Sequence, residues 1–227
     1  MNKNKTSKDW NFGIYWMVCS MLGLSIGCIA GWFIVVVVFW TIFPDNIFPF
    51  IALGGAIAGT SVGLAQWQAI RLKAPHANKL TWLAGNIVGM AISWVFFYWL
   101  ISHFEDYRVM AFLVTVIAGT WGVLSATLQW HALQGQIRRP AIWVALSGLC
   151  GILVFAVGWI WVPILNIGYM SNSGSDVSGF FILSFVLSIF SWPIAGSLYG
   201  FTTGSLLTWL QAPSNRQDEL NRHILAE

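Results

Sequence analysis

Three side-chain amides stand out because each lies inside an apolar stretch: Gln66, Asn86 and Gln129. An amide offers donors and an acceptor without charge, so a cluster of amides suits a neutral hydrogen-bonding molecule better than an ion. Gln66-Trp67 and Gln129-Trp130 recur as a dipeptide, and His131 follows the second copy. Asn86 stands seven residues past Lys79, about 10 Å along a helix. Gln66, Asn86 and Gln129, with Gln68 and His131, are therefore expected to form one polar layer flanked by Trp67 and Trp130. The layer has two readings. Amides on packed helices can hydrogen-bond across the interface, with the indoles as interfacial anchors. Alternatively, the layer lines a small-molecule site open to one side.

Other chemistries find little support. His103 and His131 belong to opposite ends of neighbouring apolar segments, and His76 and His223 lie outside such segments. Two-histidine haem ligation needs facing rings at one depth, so no metal and no cofactor is expected. A single axial ligand to a pigment, from His131 or His103, is the remaining option. There is no H-E-x-x-H, no phosphate loop and no carboxylate pair inside an apolar segment. No catalytic residue is assigned, and a non-enzyme is expected. Cys19, Cys28 and Cys150 all lie in apolar stretches and read as small core residues.

The elements that must carry these residues follow from composition. Of 227 residues, 57% are hydrophobic and only 8% are charged, against roughly 25% charged in soluble domains. Six segments lack any charged residue over a length fit to cross a bilayer: about 13–43, 48–70, 81–103, 109–134, 141–167 and 179–211. Their backbone groups must be satisfied internally, which predicts helices. The expected fold is an all-α polytopic membrane protein, a single domain of three tandem hairpins with a short tail at 212–227. The first apolar run is too long for a cleaved signal sequence, so it reads as an uncleaved span. Ten of the eleven Lys and Arg residues flank one side, and Arg108 alone lies on the other. That bias predicts cytoplasmic termini. Cations this sparse also argue against a nucleic-acid partner.

Small residues recur every fourth position in the second helix of each hairpin. They are Gly55, Gly59 and Gly63; Ala118, Gly122 and Ala126; and Gly196, Gly200 and Gly204, with Thr208-Trp209 one step beyond. The first helices share a Trp16-to-Gly23, Trp82-to-Gly89 and Trp143-to-Cys150 spacing. Small faces let helix backbones approach closely, either within the bundle or against a partner. Trp40, Trp67, Trp82, Trp130, Trp143 and Trp209 fall near span ends and suit the aromatic belt. Trp94, Trp99, Trp159 and Trp161 lie nearer the other half, where they could stack on a flat ligand. Residues 165–188 depart from the repeat as an insertion, and Pro193 follows it. Proline lacks an amide hydrogen, so a re-entrant or interfacial piece joined to a span starting near Pro193 is expected.

The Gly59-to-Trp67 pattern G-x-x-x-G-x-x-Q-W, followed by Ala69-Ile70-Arg71 and echoed at Gly122 to Trp130, resembles repeats of uncharacterised bacterial multipass membrane proteins, frequent in cyanobacteria. The resemblance implies a bacterial inner membrane or a thylakoid and supplies no activity. Six short spans with inside termini also look like substrate-binding subunits of vitamin-uptake transporters, in size and topology only. The expected function is non-catalytic assembly or scaffolding through small-residue helix faces. The expected partners are the lipid bilayer and other membrane-protein subunits or the chain itself. The alternative is an uptake or carrier subunit that binds a neutral small molecule at the polar layer.

Overall fold

A computed structural model describes residues 3–41, 48–103, 107–133, 139–159 and 177–210. Six helices account for nearly all of them, and no strand occurs among the described residues: α1 (Lys3–Thr41), α2 (Phe48–Lys73), α3 (Lys79–His103), α4 (Tyr107–Ala132), α5 (Pro140–Trp159) and α6 (Val177–Leu210). Asn11–Val35, Phe48–Lys73 and Lys79–Leu100 are long and apolar enough to cross a membrane. That gives the chain membrane character.

Local chemistry sets several of the ends. Pro75 disfavours a helical Ala74, and α2 stops at Lys73 with Arg71 and Lys73 complementing its C-terminal dipole. The Lys73 ammonium lies 5.4 Å from the Phe12 ring, tying this end to α1. Asn78 caps α3, its Oδ1 accepting from the Thr81 amide at 3.1 Å, while its own amide donates to the Ala132 carbonyl at 3.2 Å. Pro140 opens α5 at a position where its missing N–H costs nothing.

Two boundaries differ from the sequence expectation. The first helix starts at Lys3, ten residues before the apolar run at 13. Hydropathy locates what can be buried, whereas a helix continues wherever backbone bonding permits. The second difference concerns Pro193. Residues 177–210 form one continuous helix with Pro193 inside it, so no break separates 177–192 from the rest. Proline inside a helix removes one hydrogen bond, and neighbouring helices and hydroxyls can compensate. The acceptor freed here is the carbonyl of Ile189, one turn before Pro193. The insertion expected at 165–188 is thus helical from residue 177. Residues 165–176, the end of the fifth span at 160–167 and the tail at 212–227 lie outside the described residues.

The six helices close into a ring. Among the described residues, α1 packs on α2 and α6, α2 on α3, α3 on α4, α4 on α5, and α5 on α6. Glycines set how close these neighbours come. A β-carbon on Gly59 would strike the Asn86 carbonyl and come within 2.8 Å of the Ile87 Cα. One on Gly122 would strike the Ser147 carbonyl and come within 2.7 Å of the Gly148 Cα. One on Gly196 would lie 2.7 Å from the Met21 Cα and 3.1 Å from the Ser20 carbonyl. These are the same contact made three times, from the second helix of one hairpin onto the first helix of the next.

The contacts also correct the alignment of the third hairpin. Gly196 takes the place of Gly59 and Gly122, one turn away from the register read in the sequence. It follows that Gly200 stands with Gly63 and Ala126, and Thr203 stands with Gln66 and Gln129. The equal spacing of Gly196, Gly200 and Gly204 fits both registers, so spacing could not choose between them. The true polar counterpart in α6 is Thr203, and Thr208-Trp209 lies beyond it.

A second glycine set, of which the sequence reading singled out only Gly23 and Gly89, lines the first helices. Gly23, Gly27 and Gly31 of α1 face Val62, Ala58 and Gly54 of α2, and Gly85 and Gly89 of α3 face Leu128 and Ser125 of α4. Of the small residues at every fourth position, Gly55, Gly59, Gly63, Gly122, Ala126, Gly196, Gly200 and Gly204 are buried within the ring. The Ala118 side chain lies outside the described ones.

Candidate polar layer at the bundle axis

Two apolar clusters fill the interior, one toward each end. The end carrying the α2–α3 connection holds Phe12, Trp16, Ile70, Trp82, Leu133, Trp143 and Leu207. The other holds Leu24, Cys28, Ala58, Val62, Met90, Trp121, Cys150, Ala195 and Tyr199. Rings meet across the axis, between helices that are not ring neighbours. Trp16 of α1 lies edge-on to Trp82 of α3 at 5.9 Å, and Trp121 of α4 lies 5.5 Å from Tyr199 of α6. Such aromatic pairs add ~0.5–1.5 kcal/mol beyond the area they bury.

Between the two clusters each helix contributes a buried polar side chain: Ser20 on α1, Gln66 on α2, Asn86 on α3, Ser125 and Gln129 on α4, Ser147 on α5, and Thr203 on α6. Gln66 is 0% exposed, and Asn86 and Gln129 are each 1% exposed. The structure thus brings together the three amides singled out in the sequence, closed on all sides.

Hydrogen bonds staple most of the layer. Gln66 Nε2 donates to Ser20 Oγ at 3.2 Å, joining α2 to α1. Gln129 Nε2 reaches Asn86 Oδ1 at 3.4 Å, and Ser125 Oγ donates to the Gly85 carbonyl at 3.1 Å, joining α4 to α3. Trp16 Nε1 donates to Thr203 Oγ1 at 2.9 Å, closing the ring from α1 to α6. Asn86 Nδ2 donates to the Trp82 carbonyl at 3.0 Å, and Thr203 Oγ1 to the Tyr199 carbonyl at 2.6 Å.

The staple is incomplete. Gln66 Oε1, Ser147 Oγ, Trp82 Nε1 and Trp143 Nε1 are buried and make no hydrogen bond. An unmet buried polar group costs ~1–3 kcal/mol. The Tyr199 hydroxyl approaches the Gln66 amide and lies near Cys150, without reaching hydrogen-bonding geometry on Oε1. The third hairpin explains part of the deficit. Thr203 and Ser147 stand where the second hairpin has Gln129 and Asn86, and both are too short to reach each other as that pair does.

The remaining candidates fall elsewhere. Gln68 and His131 are exposed and take no part in the buried layer. His131 stacks on Trp130, with ring centroids 5.2 Å apart, at the periphery. Trp67 and Trp130 are half-buried against the apolar cluster. Trp82 and Trp143, expected in the aromatic belt, are instead fully buried beside Trp16. Nearness to a span end cannot separate an inward indole from an outward one; helical phase does. Trp209 is 64% exposed and remains suited to the belt. Trp94 is buried, and Trp99 is exposed with its ring stacked on His103 at 4.9 Å. Trp40, Trp159 and Trp161 lie outside the described side chains.

Among the described residues no group of three or more His, Cys, Asp or Glu side chains could hold a metal ion. Most hydroxyls bond back to their own helix, as Ser25 does to Met21, Thr60 to Ala56, Ser93 to Gly89 and Thr127 to Val123. The three cysteines are free and buried. We expect the native protein in mild detergent to resist maleimide labelling and to take up three equivalents only after unfolding. Rapid labelling of folded protein would contradict the burial of Cys28, Cys19 and Cys150. Comparison of the chain with protein-family profiles, with curated proteins and with solved structures finds no match.

Proposed function

We propose that the chain is a six-span integral membrane protein with both termini in the cytoplasm, and that it acts without catalysis, by assembling with other membrane proteins or with itself. One observation carries this reading: most of the buried polar side chains of the layer are engaged in holding helix to helix. Asn86 and Gln129 bond each other, Ser125 bonds a neighbouring helix, and Trp16 bonds Thr203. The outer faces are apolar in all six helices, as with Ile26, Leu53, Phe96, Val116, Leu149 and Leu198. Such a surface suits lipid or the apolar flank of another membrane protein. The glycine faces are occupied inside the ring, so association would use these bulkier outer faces instead.

The test is purification in mild detergent with cross-linking before extraction. The expected result is a discrete species heavier than one chain, made of copies or of a reproducible partner. A single uncomplexed chain under every mild condition would overturn the proposal. Orientation is checked separately with His76→Cys in a background lacking Cys19, Cys28 and Cys150. His76 is exposed in the α2–α3 connection. Only a membrane-permeant thiol reagent should label it in intact cells, and labelling by an impermeant one would reverse the topology.

A second reading, a carrier or uptake subunit for a neutral small molecule, is favoured by the unmet polar atoms around Gln66 and Ser147.

A further inference from the structure

The three hairpins repeat one pattern, and the third departs from it along a single seam. In the register set by the glycine contacts, Ser20, Asn86 and Ser147 stand at one position. Gln66, Gln129 and Thr203 stand at another. Gln66 bonds Ser20 and Gln129 bonds Asn86, so α2 is tied to α1, and α4 to α3, within the polar layer. The Thr203 hydroxyl instead serves Trp16 and the Tyr199 carbonyl. Ser147 Oγ is buried and makes no hydrogen bond. Among the described residues, the layer holds no tie between α5 and α6.

Packing departs at the same level. A β-carbon on Gly23 would come within 2.9 Å of the Val62 Cα of α2, and one on Gly89 would strike the Ser125 hydroxyl of α4. Cys150 is the α5 counterpart of both glycines, so a side chain stands where the other two hairpins have room for none. Its thiol faces the Thr202 hydroxyl of α6. A thiol is a weak partner, and that hydroxyl already donates to the Leu198 carbonyl. The backbone of α6 is weakened too. Pro193 stands where α2 has Ala56 and α4 has Gly119, and it leaves the Ile189 carbonyl without its helical donor.

We propose that the ring opens sideways between α5 and α6, with Pro193 as the hinge, and that the missing tie is what selects this seam. Parting α1 from α2, or α3 from α4, breaks a side-chain hydrogen bond in a medium with no water to replace it. Parting α5 from α6 breaks none in the layer, and it gives the unmet Ser147 hydroxyl access to a new partner. The closed ring is the major state and the open one a minor state of the same chain. The opening is independent of both readings of function, since it concerns which helices part and not what they meet.

Exposed positions repeat with the hairpins and supply matched probes. Ile26 and Leu53, Ile92 and Val116, and Leu153 and Phe190 are exposed at equivalent places on the two helices of each hairpin. Spin labels on cysteines introduced at each pair, with the buried native cysteines left in place, give three distances by pulsed dipolar spectroscopy in lipid nanodiscs. The first two distributions are expected to be narrow and alike. The third should be at least twice as wide, with a tail to longer distance. Ser147→Asn combined with Thr203→Gln rebuilds the pair of the second hairpin and should narrow the third distribution. Gln129→Thr copies the third hairpin into the second and should widen the Ile92–Val116 distribution alone. Equal widths in all three pairs of the otherwise native chain would overturn the opening. A third distribution that stays wide in the folded rebuilt variant, or an Ile92–Val116 distribution that stays narrow in Gln129→Thr, would overturn the missing tie as its cause.

Discussion

Gly59→Leu is expected to abolish the folded bundle. The added β-carbon meets the Asn86 carbonyl and the Ile87 Cα, both backbone of α3, so no side-chain rotation can make room. The helices must move apart, and the stripe above and below loses contact with them: Gly55 sits against Ala91 and Gly63 against Leu83. Overpacking a dense interior costs ~1–3 kcal/mol, and more where the obstacle is backbone. Even Gly59→Ala should lower the unfolding midpoint clearly. Gly13→Leu is the matched control, because a β-carbon at Gly13 meets nothing within 4 Å. Size-exclusion chromatography and circular dichroism in detergent check both variants. A monodisperse, helical Gly59→Leu protein as stable as Gly13→Leu would show that α2 and α3 do not cross this closely.

The second large effect is expected at Trp16. Its indole is 1% exposed, touches Trp82 across the axis and donates to Thr203 on the far side of the ring closure. Trp16→Ala should destabilise by roughly 3–5 kcal/mol from lost packing. The lost hydrogen bond adds about 1 kcal/mol. Trp16→Phe separates the two contributions: it keeps an aromatic ring in the axis and forfeits the bond, so its loss should be clearly smaller. Trp209→Ala, at an exposed position on α6, should change stability little. Denaturation in mixed micelles followed by circular dichroism gives the ranking. Equal stability of Trp16→Ala and Trp209→Ala would mean that the axis is not where the bundle is held.

Trp16 and Trp209 also show where the sequence stops being informative. Each is a tryptophan within a few residues of one end of an apolar segment, and hydropathy treats them alike. One faces the axis and the other faces outward, because helical phase and the position of neighbouring helices decide which surface is interior. The same ambiguity put Trp82 and Trp143 in the aromatic belt by expectation and at the axis in the structure. It also placed Gln68 and His131 with Gln66 and Gln129. On a helix, residues one or two apart point in different directions, so a polar neighbour in sequence need not be a neighbour in space.

The amino-acid sequence by itself determined the material of this protein. Long apolar runs nearly free of charge demand helices that satisfy their own backbone. Buried amides at recurring positions announce a polar layer, and small residues four apart announce close helix contacts. Only the tertiary structure decided that the contacts close into a ring, that the glycines face inward, and that Thr203 answers Gln66 and Gln129. The reason is physical. Period and composition are properties of one helix, whereas closure and register arise from which two backbones meet, and several registers of an evenly spaced stripe are equal until the facing helix is in place.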